Sequence, residues 1–426
     1  MVDKNLFLYD LAVTAIFKDE APYLKEWLDY HLLAGVEHFY LYNNDSTDDY
    51  KKILAPYVEK NLVTLIDFPG KMMQYPAYHD AIEKYRFDCR YMAFIDIDEF
   101  IFPKSNRAVA EVVDEILSDI PNTAGLAINW QLFGSNGQEK ADYSRGVLER
   151  FTRRAPTDWV DWNHETGFRG LNDYIKIIAN PRLVRYFIFP HYAFYFDDNF
   201  AVYSDKKYAP PKPHSESVLA DKIVINHYYV KSRQEYYKKK LPRGWTCPGD
   251  IPYGEKHFKT FDRNEIFDDG ILKHRVARAE NFSFESDDQK INRVINFLVR
   301  TLTKNSSEDS YVDKLEAFLT CRAVAEKFQI KIGDTLAEEI ALAWIYRILV
   351  KANPITRAEI QQFLKALPEI LSRPFPICKE IKDLTQNFVL PGFCQALKNG
   401  NILSGLDDWK AHFDLLYLQK FLDLIK

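Results

Sequence analysis

The sequence predicts an α/β fold, a sheet built from alternating strands and helices, followed by an all-α C-terminal domain. Three observations carry this. Between Leu11 and Asp98, short apolar runs alternate with stretches whose apolar residues recur at helical spacing. From Pro103 to about Pro252 the apolar runs shorten, and Gly, Pro, His and aromatic residues become frequent. Past the charged stretch 280–289, helical patterns dominate to the end of the chain.

The elements follow in order. Residues 11–17 (LAVTAIF) read as a buried strand. Pro22 suits a first helical turn, and the helix it opens runs to Leu33 with Leu24, Trp27, Leu28 and His31 on one face. Gly35 stops it. Residues 38–42 form a second strand, and Ser46, Thr47 and Asp48 offer N-caps for a helix to about Lys60. A third strand spans 62–66, a helix 77–87 and a fourth strand 91–95. Such alternation predicts a parallel sheet with right-handed crossovers. Candidate strands at 126–130, 174–178 and 222–225 complete it. The expected layout is one domain over 1–280, with a first half at 10–100 and a second at 101–260, then a helical domain over 281–426. Its last helix, 412–424, aligns Phe413, Leu416, Tyr417, Phe421 and Leu424 on one face. That face suits a homodimer, a lipid-linked ligand or peripheral membrane contact.

Composition excludes some functions. A formal net charge of −5 and a pI near 6.1 give no basic field, which argues against nucleic-acid binding. The five cysteines (Cys89, Cys247, Cys321, Cys378, Cys394) form no CxxC pair, as expected of reduced thiols. Met1 to Asp10 lacks a basic segment followed by a long apolar run, so no secretory signal is expected. No stretch is apolar for long enough to span a bilayer. The expected location is cytoplasmic, with at most peripheral contact at the inner face of the membrane.

In sheets of this kind ligands bind beyond the carboxyl ends of the strands, where the polar groups gather. Lys18, Asp19 and Glu20 follow the first strand, and Asn43, Asn44, Asp45 and Ser46 the second. Asp96-Ile97-Asp98 follows the fourth and puts two carboxylates on one side of an extended segment. Two carboxylates so close repel unless a cation lies between them. Hard oxygen ligands suit Mg²⁺ or Mn²⁺, which also bind substrate phosphates. His227, just past the apolar run 223–225, is the candidate third ligand, and imidazole favours Mn²⁺. Most lysines of the basic run after it read as a solvated helix face, but Lys231 and Arg243 could hold a diphosphate. Gln74 and Asp80 could reach a base or ribose, and Trp130 a sugar face. Glu165 and Asp197 are the candidates for a general base.

These motifs together resemble glycosyltransferase family 92. The resemblance rests on Phe17-Lys18-Asp19-Glu20, Tyr23-Leu24, Glu26-Trp27, Tyr30-His31, His38-Phe39-Tyr40, the run Tyr42 to Asp48, Asp96 to Phe100, Trp130 with Phe133-Gly134-Ser135, His227-Tyr228, Lys231-Ser232 and Arg243-Gly244. It covers residues 10–250. It implies a GT-A (nucleotide-diphospho-sugar transferase, Rossmann-like) domain and an inverting enzyme that uses a UDP-sugar, commonly UDP-galactose, with Mn²⁺. Asp96, Asp98 and His227 would hold the metal. Phe17, Asp19, Glu20, Asn43, Asn44, Ser46 and Ile97 would line the nucleotide-sugar, and the acceptor would be a glycan or glycolipid such as a lipopolysaccharide or capsule precursor. Lys-Asp-Glu where the family often has Lys-Asn-Glu, Asn43 for an Asp, and Gln138 for a His are departures. Two other readings remain at this point. One is a haloacid-dehalogenase-like phosphohydrolase, which also carries Asp-x-Asp after an apolar strand. The other is a non-catalytic, UDP-binding or scaffold protein.

Overall fold

The computed structural model describes residues 7–293 apart from 87, 164–167, 197, 241–253, 281–282, 284, 287–288 and 291–292. The helices expected beyond 293 lie outside the described residues.

The first half runs β1 (Tyr9–Phe17), α1 (Ala21–Leu33), β2 (His38–Asn43), α2 (Tyr50–Glu59), β3 (Val63–Asp67), α3 (Gln74–Tyr85) and β4 (Cys89–Phe94). Then come β5 (Glu99–Pro103), α4 (Val109–Leu117) and β6 (Thr123–Leu132). Short strands follow: β7 (Arg153–Arg154), β8 (Val160–Asn163), β9 (Phe168–Leu171), β10 (Ile175–Ala179), β11 (Val184–Phe189) and β12 (Tyr192–Tyr195). β13 (Phe200–Val202), β14 (Tyr208–Ala209), β15 (Ile223–His227) and β16 (Ile266–Phe267) complete the strands.

The central sheet is ordered β14-β13-β6-β10-β4-β1-β2-β3. β1 to β4 are mutually parallel, with helices as crossovers, as the alternation predicted. The sheet as a whole is mixed. β10 runs antiparallel to both β4 and β6. Parallel pairing needs a crossover connection, usually helical. Among its described residues the segment between β6 and β10 holds only a four-residue helix, Val147–Arg150, besides short strands and turns, and it returns the chain in the opposite sense. β15 pairs antiparallel with β5 and parallel with β6, so it links those two strands.

α1 shows how the core is specified. Leu24, Trp27, Leu28 and His31 are all buried. Trp27 Nε1 donates to the Glu99 carbonyl at 2.8 Å, and Tyr30 OH donates to the Ile101 carbonyl at 2.9 Å. His31 spans the same joint: Nδ1 lies 2.8 Å from the Trp27 carbonyl, and Nε2 accepts from Ile101 N–H at 3.2 Å. Burial holds its pKa down at about 3, so the ring is a neutral core group with both nitrogens engaged. Gly35, at φ +96°, ends the helix where an added Cβ would lie 2.7 Å from the Ala108 Cβ. α2 starts at Tyr50, later than expected. Ser46 and Asp48 do not cap it. Their side chains accept from the backbone N–H of Asp19 and Ala21, which ties the second loop to the first.

Candidate functional site

β1 pairs β2 on one side and β4 on the other, so the chain order reverses there. A crevice opens at such a switch point beyond the carboxyl ends. The loops around it are built from within. Asp19, at φ +54°, accepts from Thr47 N–H at 2.7 Å and donates its own N–H to Ser46 Oγ at 2.9 Å. Asn43 Nδ2 donates to Tyr50 OH and Asp67 Oδ1, each at 2.8 Å, and its Oδ1 accepts from Ser46 N–H at 3.0 Å. Asn44 Nδ2 donates to the carbonyls of Phe68 and Gly70, both at 2.9 Å. These amides shape the rim. Phe17 ends β1, buried edge-on against Tyr50. Glu20 is buried and ion-pairs with Lys239. Asp80 accepts from Tyr42 OH at 2.8 Å and pairs with Lys84 at 2.7 Å, beside β2.

The two aspartates after β4 have different surroundings. Asp96 Oδ1 accepts from Gln74 Nε2 at 2.7 Å, and Oδ2 from Lys176 Nζ at 2.9 Å. Lys176 is 1% exposed and lies 3.4 Å from Glu99 as well. Burial alone would lower its pKa, but Asp96 and Glu99 outweigh burial and push it above the usual lysine value. Glu99, wholly buried, is pushed well above the carboxylate range by desolvation, against the pull of Lys176. Ile97, between the aspartates, packs into the core.

Asp98 instead faces His227, with Oδ1 3.5 Å from Nε2, and Lys240, with Oδ2 3.3 Å from Nζ. The register of β15 against β5 sets Glu99 opposite His227 and brings the ring to Asp98. Partial burial would raise the Asp98 pKa; Lys240, then His227 and Lys231, hold it well below the usual range. Burial of His227 outweighs Asp98 and keeps the imidazole below its ordinary value. A neutral imidazole beside a carboxylate is the protonation state that binds metal. An ion with bonds of about 2.1 Å at right angles spans donors about 3 Å apart, so Asp98 and His227 fit a divalent cation with little movement. The Asp96 oxygens are engaged by Gln74 and Lys176. Among the described residues, no three His, Cys, Asp or Glu side chains converge as a metal site. Such ions often take one or two protein ligands and fill the rest with water and phosphate.

Beyond His227 lies an aromatic wall. The Trp130 ring is 4.3 Å from His227, stacks on Tyr174 at 5.0 Å, and meets His191 edge-on at 5.1 Å. His191 Nδ1 lies 2.8 Å from the Ile175 carbonyl, and burial, then Lys176, keeps its pKa well below the usual value. Lys231, at φ +53°, lies over the Tyr23 ring at 4.6 Å with Nζ 3.3 Å from the Tyr228 carbonyl. Lys239 and Lys240 end a short π-helix, Tyr236–Lys240, a form frequent at functional sites.

The structure therefore brings Gln74, Asp96, Asp98, Trp130, His227 and Lys231 to one crevice. Asn43, Asn44, Ser46 and Asp19 form its rim, and Asp80 is held on α3 by Tyr42 and Lys84. Glu165, Asp197 and Arg243 lie outside the described residues. Sequence reasoning missed Lys176 and set Lys240 aside as solvated. Lys176 had a signal: it is the charged residue in the otherwise apolar run IKIIA, and a buried charge needs a partner.

A Rossmann-like half with an acidic pair after its fourth strand defines a GT-A type domain. The sequence model of glycosyltransferase family 92 matches residues 12–269, and the chain belongs to that family. A family 92 protein of Oryza sativa subsp. japonica is 27% identical over 147 residues, which cover 34% of this chain and 25% of that one. The galactan beta-1,4-galactosyltransferase GALS2 of Arabidopsis thaliana is 30% identical over 100 residues, covering 21% and 19%. The match spans about a quarter of the length of the first two curated relatives. The crystal structure of S. aureus TarS 1-349 covers 92% of this chain and 89% of its own at 12% identity, with a TM-score of 0.30, too low to carry an argument.

Proposed function

We propose that this chain is an inverting, metal-dependent glycosyltransferase that moves a hexose, best read as galactose from UDP-galactose, to a hydroxyl of a glycan or glycolipid. The observation that carries the reading is the Asp98–His227 pair, flanked by Lys240, at the carboxyl-end crevice of the family 92 domain. Galactose is favoured because two relatives, matched over about a fifth of this chain, are named galactosyltransferases. A lipopolysaccharide or capsule precursor fits as acceptor.

Asp98 and His227 would hold Mn²⁺ or Mg²⁺, which when bound offsets negative charge on the departing diphosphate. Lys240 and Lys231 add fixed positive charge on the same side. Asp96, pinned by Gln74 and Lys176, presents a rigid acceptor to a donor hydroxyl. Trp130 offers an apolar face to a sugar ring. The acceptor oxygen attacks the anomeric carbon as UDP departs, in one displacement. Membership of a glycosyltransferase family weighs against the phosphohydrolase reading.

The test is release of UDP from a panel of UDP-sugars, with and without Mn²⁺. UDP-galactose should be turned over and EDTA should stop it. Unchanged turnover by Asp98→Ala with Mn²⁺ present would remove the metal role. Absence of UDP binding by calorimetry would favour a scaffold. Homodimer or membrane contact through the 412–424 helix rests on its sequence pattern, and light scattering and vesicle sedimentation test it.

A further inference from the structure

We infer that His214, backed by Asp173, is the general base that takes the proton from the acceptor hydroxyl. The inference rests on the transferase reading above and extends it to the acceptor side. His214 lies on an irregular segment, but that segment is anchored. It bridges Tyr174, Ile175 N–H donates to the Pro213 carbonyl at 3.1 Å, and Ser215 N–H donates to the Asp173 carbonyl at 2.8 Å. Ser215 Oγ is further held by Asn129 Nδ2 at 2.7 Å. This pairing sets His214 Nδ1 3.4 Å from Asp173 Oδ1.

The two sides of the ring differ. Nδ1 is buried, yet the side chain as a whole is 26% exposed. The exposed edge is therefore the far one, which carries Nε2. Nδ1 and Asp173 Oδ1 are both buried and make no hydrogen bond with each other at 3.4 Å. Catalytic hydrogen bonds commonly tighten only in the complex. On closing, the carboxylate would fix the proton on Nδ1 and leave the other nitrogen as acceptor, the logic of orienting a base with a third group.

The ring also stands in the right place. It meets Tyr174 edge-on at 3.9 Å, Tyr174 stacks on Trp130 at 5.0 Å, and Trp130 abuts His227 at 4.3 Å. A continuous aromatic platform thus runs from the diphosphate end to His214. The other imidazoles on this platform are committed: His227 faces Asp98, and His191 is buried against the Ile175 carbonyl. Among the described residues, the charged and titratable groups recorded near His214 are Asp173 and Tyr174 across the bridge, His191 beyond Tyr174, and Lys212 and Glu216 on its own segment, which pair with each other at 3.6 Å.

In the step, the acceptor oxygen bonds to the anomeric carbon while its proton passes to His214 Nε2. The bond from that carbon to the β-phosphate oxygen breaks, and its electron pair leaves with UDP. The imidazolium then releases the proton to water.

Two measurements test this on the full chain. With UDP-galactose and β-1,4-galactose oligosaccharides, His214→Gln should lower kcat by about 10²–10⁴-fold, with calorimetric UDP–Mn²⁺ affinity unchanged and the acid limb of the kcat profile abolished. Asp173→Asn should give an intermediate loss. A His214→Gln enzyme that keeps more than about a tenth of kcat with its acid limb intact, below the loss a general base implies, overturns the assignment. Separately, ¹⁵N imidazole NMR should show His214 protonated on Nδ1, and Asp173→Asn should shift that population to Nε2. An Nε2–H tautomer in the wild type overturns the dyad whatever the activity. If the wild type releases UDP from no donor, the transferase reading fails by itself and the tautomer decides the dyad.

Discussion

Asp96 and Asp98 stand two residues apart and meet different partners, Asp96 the Lys176 ammonium and the Gln74 amide, Asp98 the Lys240 ammonium and the His227 imidazole. This division makes separable predictions. Asp98→Ala and His227→Ala should each weaken Mn²⁺ binding by roughly a hundredfold or more, at least matching the loss seen when an outer partner is removed; electron paramagnetic resonance titration measures it. Asp96→Asn should weaken it far less and act on donor KM. Lys176→Met leaves the Asp96 carboxylate without its cation, so it should destabilise the fold by about 1–3 kcal/mol, read by urea denaturation. The carboxylates were legible in the sequence because they follow an apolar strand. Their division of labour was not, because it depends on Lys176 and Lys240, which reach the site from segments remote in the chain.

At the level of elements, the short helix after β15 is locked by a buried cluster. Glu235 takes a bidentate pair from Arg150 at 2.9 Å on each arm, accepts from Tyr23 OH at 2.9 Å, and completes a capping box with Ser232. The cluster lies beside Lys231 and fixes the approach to the π-helix. Burial would raise the Glu235 pKa, but Arg150 and Ser232 bring it down to about 2. A depressed carboxyl pKa contributes stability that is full above the unfolded value near 4.3 and lost as pH falls toward 2. Glu235→Gln should therefore cost on the order of 3 kcal/mol at neutral pH and converge with wild type near pH 2, as measured by denaturation across pH. The strand–helix alternation of the first half was readable because apolar period and punctuation are local. The direction of β10 was not, since pairing sense depends on the path of the intervening chain.

At the scale of the molecule, contacts close a compact unit over Met1–Arg293. Its last described residues hold its first: Arg293 Nη1 donates to the Phe7 carbonyl at 2.8 Å, and the buried Lys290 lies 5.0 Å from the Tyr9 ring. A chain ended after Arg293 should fold cooperatively, whereas one ended at 280 should melt at least about 4 °C lower, as calorimetry would show. Among the described residues no helix is long and apolar enough to cross a membrane. The place of β15 has a temporal consequence. The lysine that faces Asp98 is 142 residues downstream of it, and His227 arrives on a strand that pairs only with β5 and β6. On a ribosome the first half emerges first and waits, the Asp98 carboxylate unmatched, until that strand is made. Contacts so far apart in sequence form slowly, so ligand competence should be among the last properties acquired during refolding, well after the parallel core has closed.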